Sequence, residues 1–110
     1  MNKNTIQTDA ILKSFIHLAV PIIKQDFAAS KVIIFGSRVK GSATDESDID
    51  VIIVSDFFKG IKFVKRMATV LKKITFPQHV DFICYTPEEF EKIQSSSIVV
   101  KSALSEGISA

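Results

Sequence analysis

Three aspartates sit in apolar surroundings, where chemistry is the best reason to keep them: Asp48 and Asp50 in "DIDVIIVS", and Asp81 in "QHVDFICY". Strand interiors are depleted in aspartate, which fits poorly on a half-buried pleated surface. On a strand, positions i and i+2 project from one face, so Asp48 and Asp50 would stand roughly 6.6 Å apart along it. Ile49 and Val51 then point to the other face. Carboxylates so placed repel and raise each other's pKa unless a positive charge lies between them. A hard divalent cation meets that need. Mg2+ takes oxygen ligands, keeps several waters, and is commonly held by one or two carboxylates with substrate phosphates. If the strand carrying Asp81 lies beside the one carrying Asp50, the three carboxylates form a cluster. Such a cluster suits two metal ions ~3.5–4 Å apart that clamp an in-line phosphoryl or nucleotidyl displacement.

A second group precedes the aspartates. Gly36-Ser37 ends the run "KVIIF" and opens a helical turn over Ser37 to Lys40. Glycine lets a phosphate approach the backbone, and a serine hydroxyl with the free N–H groups of a helix start can hold its oxygens. Gly41 lets the loop turn back toward the second strand. Together these parts make a phosphate cradle facing the metal cluster. Arg38 is a further nucleotide-binding candidate, with a solvated side chain as the equal alternative. His79 shares the face of Asp81 by strand parity and so falls near the metals or the acceptor, though a plain surface histidine is the commoner outcome. His17 lies on a polar helix face, and Cys84 reads as core filler. The bland alternatives are a solvated strand start for Asp48 and Asp50, an anti-aggregation charge on an edge strand for Asp81, and a turn cap for Ser37.

The elements that must position these residues follow from periodicity. From Thr8 to Phe27, Ile11, Phe15, Leu18 and Ile22 recur at helical spacing. Pro21 falls on the polar side of that helix, where a kink away from the core is tolerable. "KVIIFGS" reads as a buried strand stopping at Gly36, "DIDVIIVS" as a second and "HVDFICY" as a third. Residues 60 to 74 read as an amphipathic helix. Ile61, Phe63, Val64, Met67, Val70 and Leu71 take one half, and Lys62, Lys65, Arg66, Thr69, Lys72 and Lys73 the other. That apolar half is wider than one sheet face needs, so part of it is free to cover a second element or a subunit contact. Thr86 caps the helix of "TPEEFEKI", with Pro87 in its first turn and Glu89 closing a capping box. Ser95 to Ser97 break it, and "IVVKSALSE" forms a last helix that stops at Gly107. The order αβ(α)βαβαα predicts an α+β (α/β-like) fold: a small mixed sheet of about three strands flanked by helices.

The stretch "GSRVKGSATDESDID" holds Gly-Ser, ten residues, then Asp-x-Asp. It resembles the signature of the polymerase β-like nucleotidyltransferase superfamily, and more closely its minimal nucleotidyltransferase domains, including the MntA-type antitoxins. The resemblance runs from Phe35 through Asp81. It implies a polymerase β palm-like fold and a two-Mg2+ transfer of a nucleoside monophosphate, AMP from ATP, onto a hydroxyl. It assigns Gly36 and Ser37 to the β- and γ-phosphates, and Asp48 and Asp50 to the metals. Asp81 would hold the catalytic metal and help deprotonate the attacking hydroxyl. Many relatives have arginine where Lys40 stands, which bears on a supporting contact only. Larger members carry an acceptor-binding domain, so the resemblance implies an acceptor brought by a partner. That partner is often a HEPN-domain toxin, adenylylated on tyrosine.

Composition bounds the rest. At 110 residues the chain has the size of one domain, residues 1–110. A net charge of +2 gives no bulk argument for nucleic acid or membrane. One cysteine excludes a disulfide framework and a cysteine-based zinc site. No signal-peptide pattern opens the sequence, and no apolar run approaches the roughly 20 residues that span a bilayer. The expectation is a cytoplasmic protein, open to homo-oligomerisation. The rivals to the enzyme are a non-catalytic antitoxin module that masks its partner by contact, and transfer to a small molecule such as an aminoglycoside. RNA is disfavoured as acceptor by the modest charge. Clustered carboxylates are costly for a pure binder.

Overall fold

The computed structural model describes residues 9–44 and 46–110. Its frame is a four-stranded sheet in the order β3-β2-β1-β4. Strand β1 (Lys31–Phe35) runs antiparallel to β2 (Ile49–Val54), and β2 runs parallel to β3 (Val80–Tyr85). The registers pair Phe35 with Asp50 and Asp50 with Asp81. The expected mixed sheet and α+β class are therefore both present. β1 and β2 read as nearly unbroken apolar runs because helices cover both faces of the sheet.

One face packs Val32, Ile34, Val51, Ile53 and Phe82 against Leu12, Phe15, Ile23, Phe27 and Val70. The other packs Ile33, Ile52 and Val54 against Phe90, Val100 and Ala103. Asp50 shares that second face with Ile52 and Val54 but lies at the start of its strand, where it remains half-buried. The covering helices thus leave the aspartate end of the sheet open.

Three expectations need correction. The first helix is two: α1 (Ala10–Leu18) and α2 (Val20–Asp26), separated at Ala19. Pro21 cannot continue a helix, since it lacks an N–H and its ring crowds the carbonyl four residues back; in the first turn of a new helix it is harmless. The proposed start at Thr8 lies outside the described residues, and Asp9 caps α1 by accepting from the Leu12 N–H at 2.9 Å. A fourth strand, β4 (Ile108–Ser109), joins the free edge of β1. Gly107 permits this, because a Cβ there would fall 2.3 Å from the Ala103 oxygen and 2.9 Å from that of Ile34.

The third correction concerns α4 (Phe63–Leu71), which follows the single helical turn α3 (Ser37–Lys40) and is shorter than the predicted span. Arg66, expected on the solvated side, is buried. It donates to the carbonyls of Ile61 and Cys84 and pairs with Glu89. Phe63, Val64, Met67 and Leu71 are the exposed ones. A charge pair with satisfied donors has set the facing of this helix against its apolar pattern. Helix α5 (Pro87–Ile93) has the predicted capping box, with Glu89 N–H to Thr86 Oγ1 and Thr86 N–H to Glu89 Oε1. Helix α6 (Ile98–Glu106) then leads to Gly107. Among the described residues no helix is long and apolar enough to cross a membrane.

Candidate active site

The site is assembled where β1 ends and β2 begins. Gly36 follows β1 with φ +89° and ψ −163°, a conformation essentially limited to glycine, and caps the turn α3. A Cβ on Gly36 would stand 2.2 Å from Asp50 Oδ2, so a side chain there would push the Asp50 carboxylate aside. Gly41 closes the turn in the left-handed region at φ +80°. Ser37 is half-buried at the start of the turn. The Gly-Ser element and Asp50 therefore touch, as the spacing suggested.

Asp48 is the residue just before β2, one step short of the strand position expected for it. The parallel register still sets it beside His79, as it sets Asp50 beside Asp81. His79 Nδ1 lies 3.2 Å from Asp48 Oδ1, and its Nε2 3.8 Å from Asp81 Oδ1. The side chains of Asp48, His79 and Asp81 are 46%, 62% and 45% exposed, so a ligand can reach them. One donor atom from each lies within 4.8 Å of the others. Burial pushes the Asp50 carboxyl up from its ordinary value, Asp81 and then Asp48 push it further, and His79 opposes them.

This donor set fits a divalent cation. It offers carboxylate oxygens from two adjacent strands, an open side, and a glycine whose missing Cβ leaves room for Asp50. The structure brings donor atoms of Asp48, His79 and Asp81 within reach of one ion, whereas Asp50, expected with them, is paired with Asp81 in the register and lies against Gly36.

Arg38 is arranged differently from either expectation. It is buried, with Nη1 on the Asp9 carboxylate at 2.9 and 3.1 Å, Nε on the Ser47 carbonyl at 2.9 Å and Nη2 on that of Thr44 at 3.3 Å. Gln78 Nε2 donates to the same Ser47 carbonyl at 2.9 Å. Arg38 thus ties the segment leading into Asp48 to the start of α1, which makes it a positioning residue. Asp9 and Gln78 were not legible as parts of this clamp. An N-cap aspartate ahead of a helical pattern was visible in principle, but its partner lies 29 residues away. Lys40 pairs with Glu106 at 3.2 Å across a cleft of about 300 Å3, lined also by Phe35, Gly36, Val39, Ile98 and Val99.

The nucleotidyltransferase domain family model matches residues 17–108 of the chain. Among solved structures, the fold is similar to the crystal structure of a candidate nucleotidyltransferase from Sulfolobus solfataricus, with a TM-score of 0.64. The two are 24% identical over 99% of this chain and 87% of that one, a likeness that speaks to fold. A search of curated proteins found no match.

Proposed function

The chain belongs to the nucleotidyltransferase domain family, and from that premise we propose that it moves AMP from ATP onto a hydroxyl acceptor with the help of Mg2+. The observation that carries this reading is the shared register of Phe35, Asp50 and Asp81, which brings the Gly36 turn and the carboxylates to one end of the sheet. In the proposed assignment Gly36 and Ser37 grip the β- and γ-phosphates. Asp48, Asp50 and Asp81 hold the metal, with two ions the number proposed. Bound there, the metal would neutralise charge on the phosphates and on the attacking and leaving oxygens.

The chain's own part is positioning and proton handling. The Gly36 turn lies against Asp50, so phosphates held on that turn would come to the carboxylate end of the sheet, which serves the orientation that in-line displacements need. The acceptor oxygen bonds to the α-phosphorus, the bond to the β-phosphate oxygen breaks, and pyrophosphate leaves. The acceptor proton passes to the Asp81 carboxylate, whose half-exposed face is open to an incoming hydroxyl.

The acceptor we propose is a tyrosine hydroxyl on a HEPN-type toxin, which gives the protein an antitoxin role of the MntA type in the cytoplasm. Incubation with α-labelled ATP and Mg2+ tests this, with a HEPN-domain protein, an aminoglycoside and RNA as separate acceptors. Label on the HEPN protein is expected. Label on the antibiotic alone would move the reading to small-molecule transfer, and none on any acceptor, with no pyrophosphate formed, would overturn it.

A further inference from the structure

We infer that His79 lends an imidazole nitrogen to the metal held by Asp48 and Asp81, so that the site favours Mn2+ or Co2+ over Mg2+. The inference rests on the metal-dependent reading above and concerns the one nitrogen donor in that group.

Three observations carry it. Positions 48 and 50 share a parity on and before β2, as 79 and 81 do on and before β3, and the parallel register aligns the two pairs. His79 therefore stands in the array by construction, not by the accident of a flexible rotamer. Its ring nitrogens lie 3.2 Å from Asp48 Oδ1 and 3.8 Å from Asp81 Oδ1, so a turn of this exposed ring lets one nitrogen face an ion that both carboxylates share. The three donors are within 4.8 Å of one another, where an ion bound at about 2.1 Å needs about 3.0 Å between adjacent ligands and about 4.2 Å between opposite ones. Rotation of the exposed Asp48 and His79 side chains supplies the closure that completes the set.

The chemical consequence follows from ligand type. Oxygen-only sites suit Mg2+, whereas imidazole suits the transition metals and raises their affinity relative to Mg2+. The carboxylates alone would hold either kind of ion. His79 would tilt the choice.

The test uses the whole chain and Mn2+ with inorganic tripolyphosphate, a probe that contains no nitrogen. Pulsed electron paramagnetic resonance of the bound Mn2+ should show coupling to an imidazole 14N, and His79→Gln should abolish the coupling while Mn2+ remains bound. Competition titrations should show Co2+ affinity falling about tenfold or more in His79→Gln, with Mg2+ affinity within about twofold of wild type. Wild-type protein that binds Mn2+ without nitrogen coupling, or a coupling that survives in His79→Gln, overturns the inference and leaves the metal reading standing. Mn2+ that fails to bind, or binds equally well to Asp50→Asn/Asp81→Asn, overturns both.

Discussion

Replacing Gly36 with alanine should damage the protein in two separable ways. The backbone there has φ +89° and ψ −163°, which costs an L residue about 1–3 kcal/mol. With about 4–8 °C per kcal/mol for a chain of this order of length, a strain near 2 kcal/mol lowers Tm by about 8–16 °C. The new Cβ also lands 2.2 Å from Asp50 Oδ2. That oxygen is the free end of a side chain, so it can swing aside with little further loss of stability. What is lost is the position of Asp50 in the carboxylate cluster. Gly60→Ala is the control, since Gly60 has φ +80° with nothing within 4 Å of a Cβ, and strain alone should act there. Thermal denaturation with and without Mg2+ and ATP separates the effects, because ligand at 100 times its Kd adds about 2.7 kcal/mol. Both variants should melt lower than wild type, and only Gly36→Ala should lose the ligand response. A Gly36→Ala protein that keeps the full response, or a Gly60→Ala protein that loses it, refutes the reasoning.

Further outcomes follow from the same geometry. Arg38→Lys and Asp9→Asn should weaken metal binding to a similar degree in a Mn2+ titration, because the pair acts as one clamp on the segment before Asp48. A harmless Asp9→Asn beside a nucleotide-blind Arg38→Lys would instead make Arg38 a phosphate contact. The hydrogen bond from the Arg66 guanidinium holds the Glu89 carboxyl at about 2, against an ordinary 4.5. A depressed folded value stabilises above the unfolded one, so this contribution is present above about 4.5 and lost as pH falls toward 2. Urea melts between those limits should be flatter with pH in Glu89→Gln than in wild type. Burial pushes the Cys84 thiol up to about 12, so the native protein at pH 8 should resist thiol reagents until it unfolds.

The parts legible in the sequence were those with local signatures. Gly36-Ser37 and Asp48-x-Asp50 carry their meaning in spacing, and the Thr86–Glu89 box sits within four residues. Asp81 stood out because a carboxylate interrupts an apolar strand. What the sequence hid depends on contacts between distant residues. Asp9 and Arg38 are 29 apart, and Arg66 and Glu89 are 23 apart. Neither pair leaves a periodic trace, and the second reverses the facing that the apolar pattern of α4 suggests. β4 has two residues, too few for any alternation to register. Strand parity put His79 on the face of Asp81, but its place beside Asp48 needed the parallel register of β2 and β3.

The most direct test of the central claim is the stability of Asp50→Asn measured with and without Mg2+ and ATP. A carboxyl whose folded pKa is raised destabilises the folded state as pH rises above the ordinary 3.8, so at pH 7 the ionised Asp50 works against folding. The asparagine variant should therefore melt higher than wild type in chelator, yet show none of the stabilisation that Mg2+ with ATP gives wild type. A variant that melts lower in chelator and still responds fully to Mg2+ and ATP would contradict the account, because Asp50 would then be a structural residue outside any working nucleotide site.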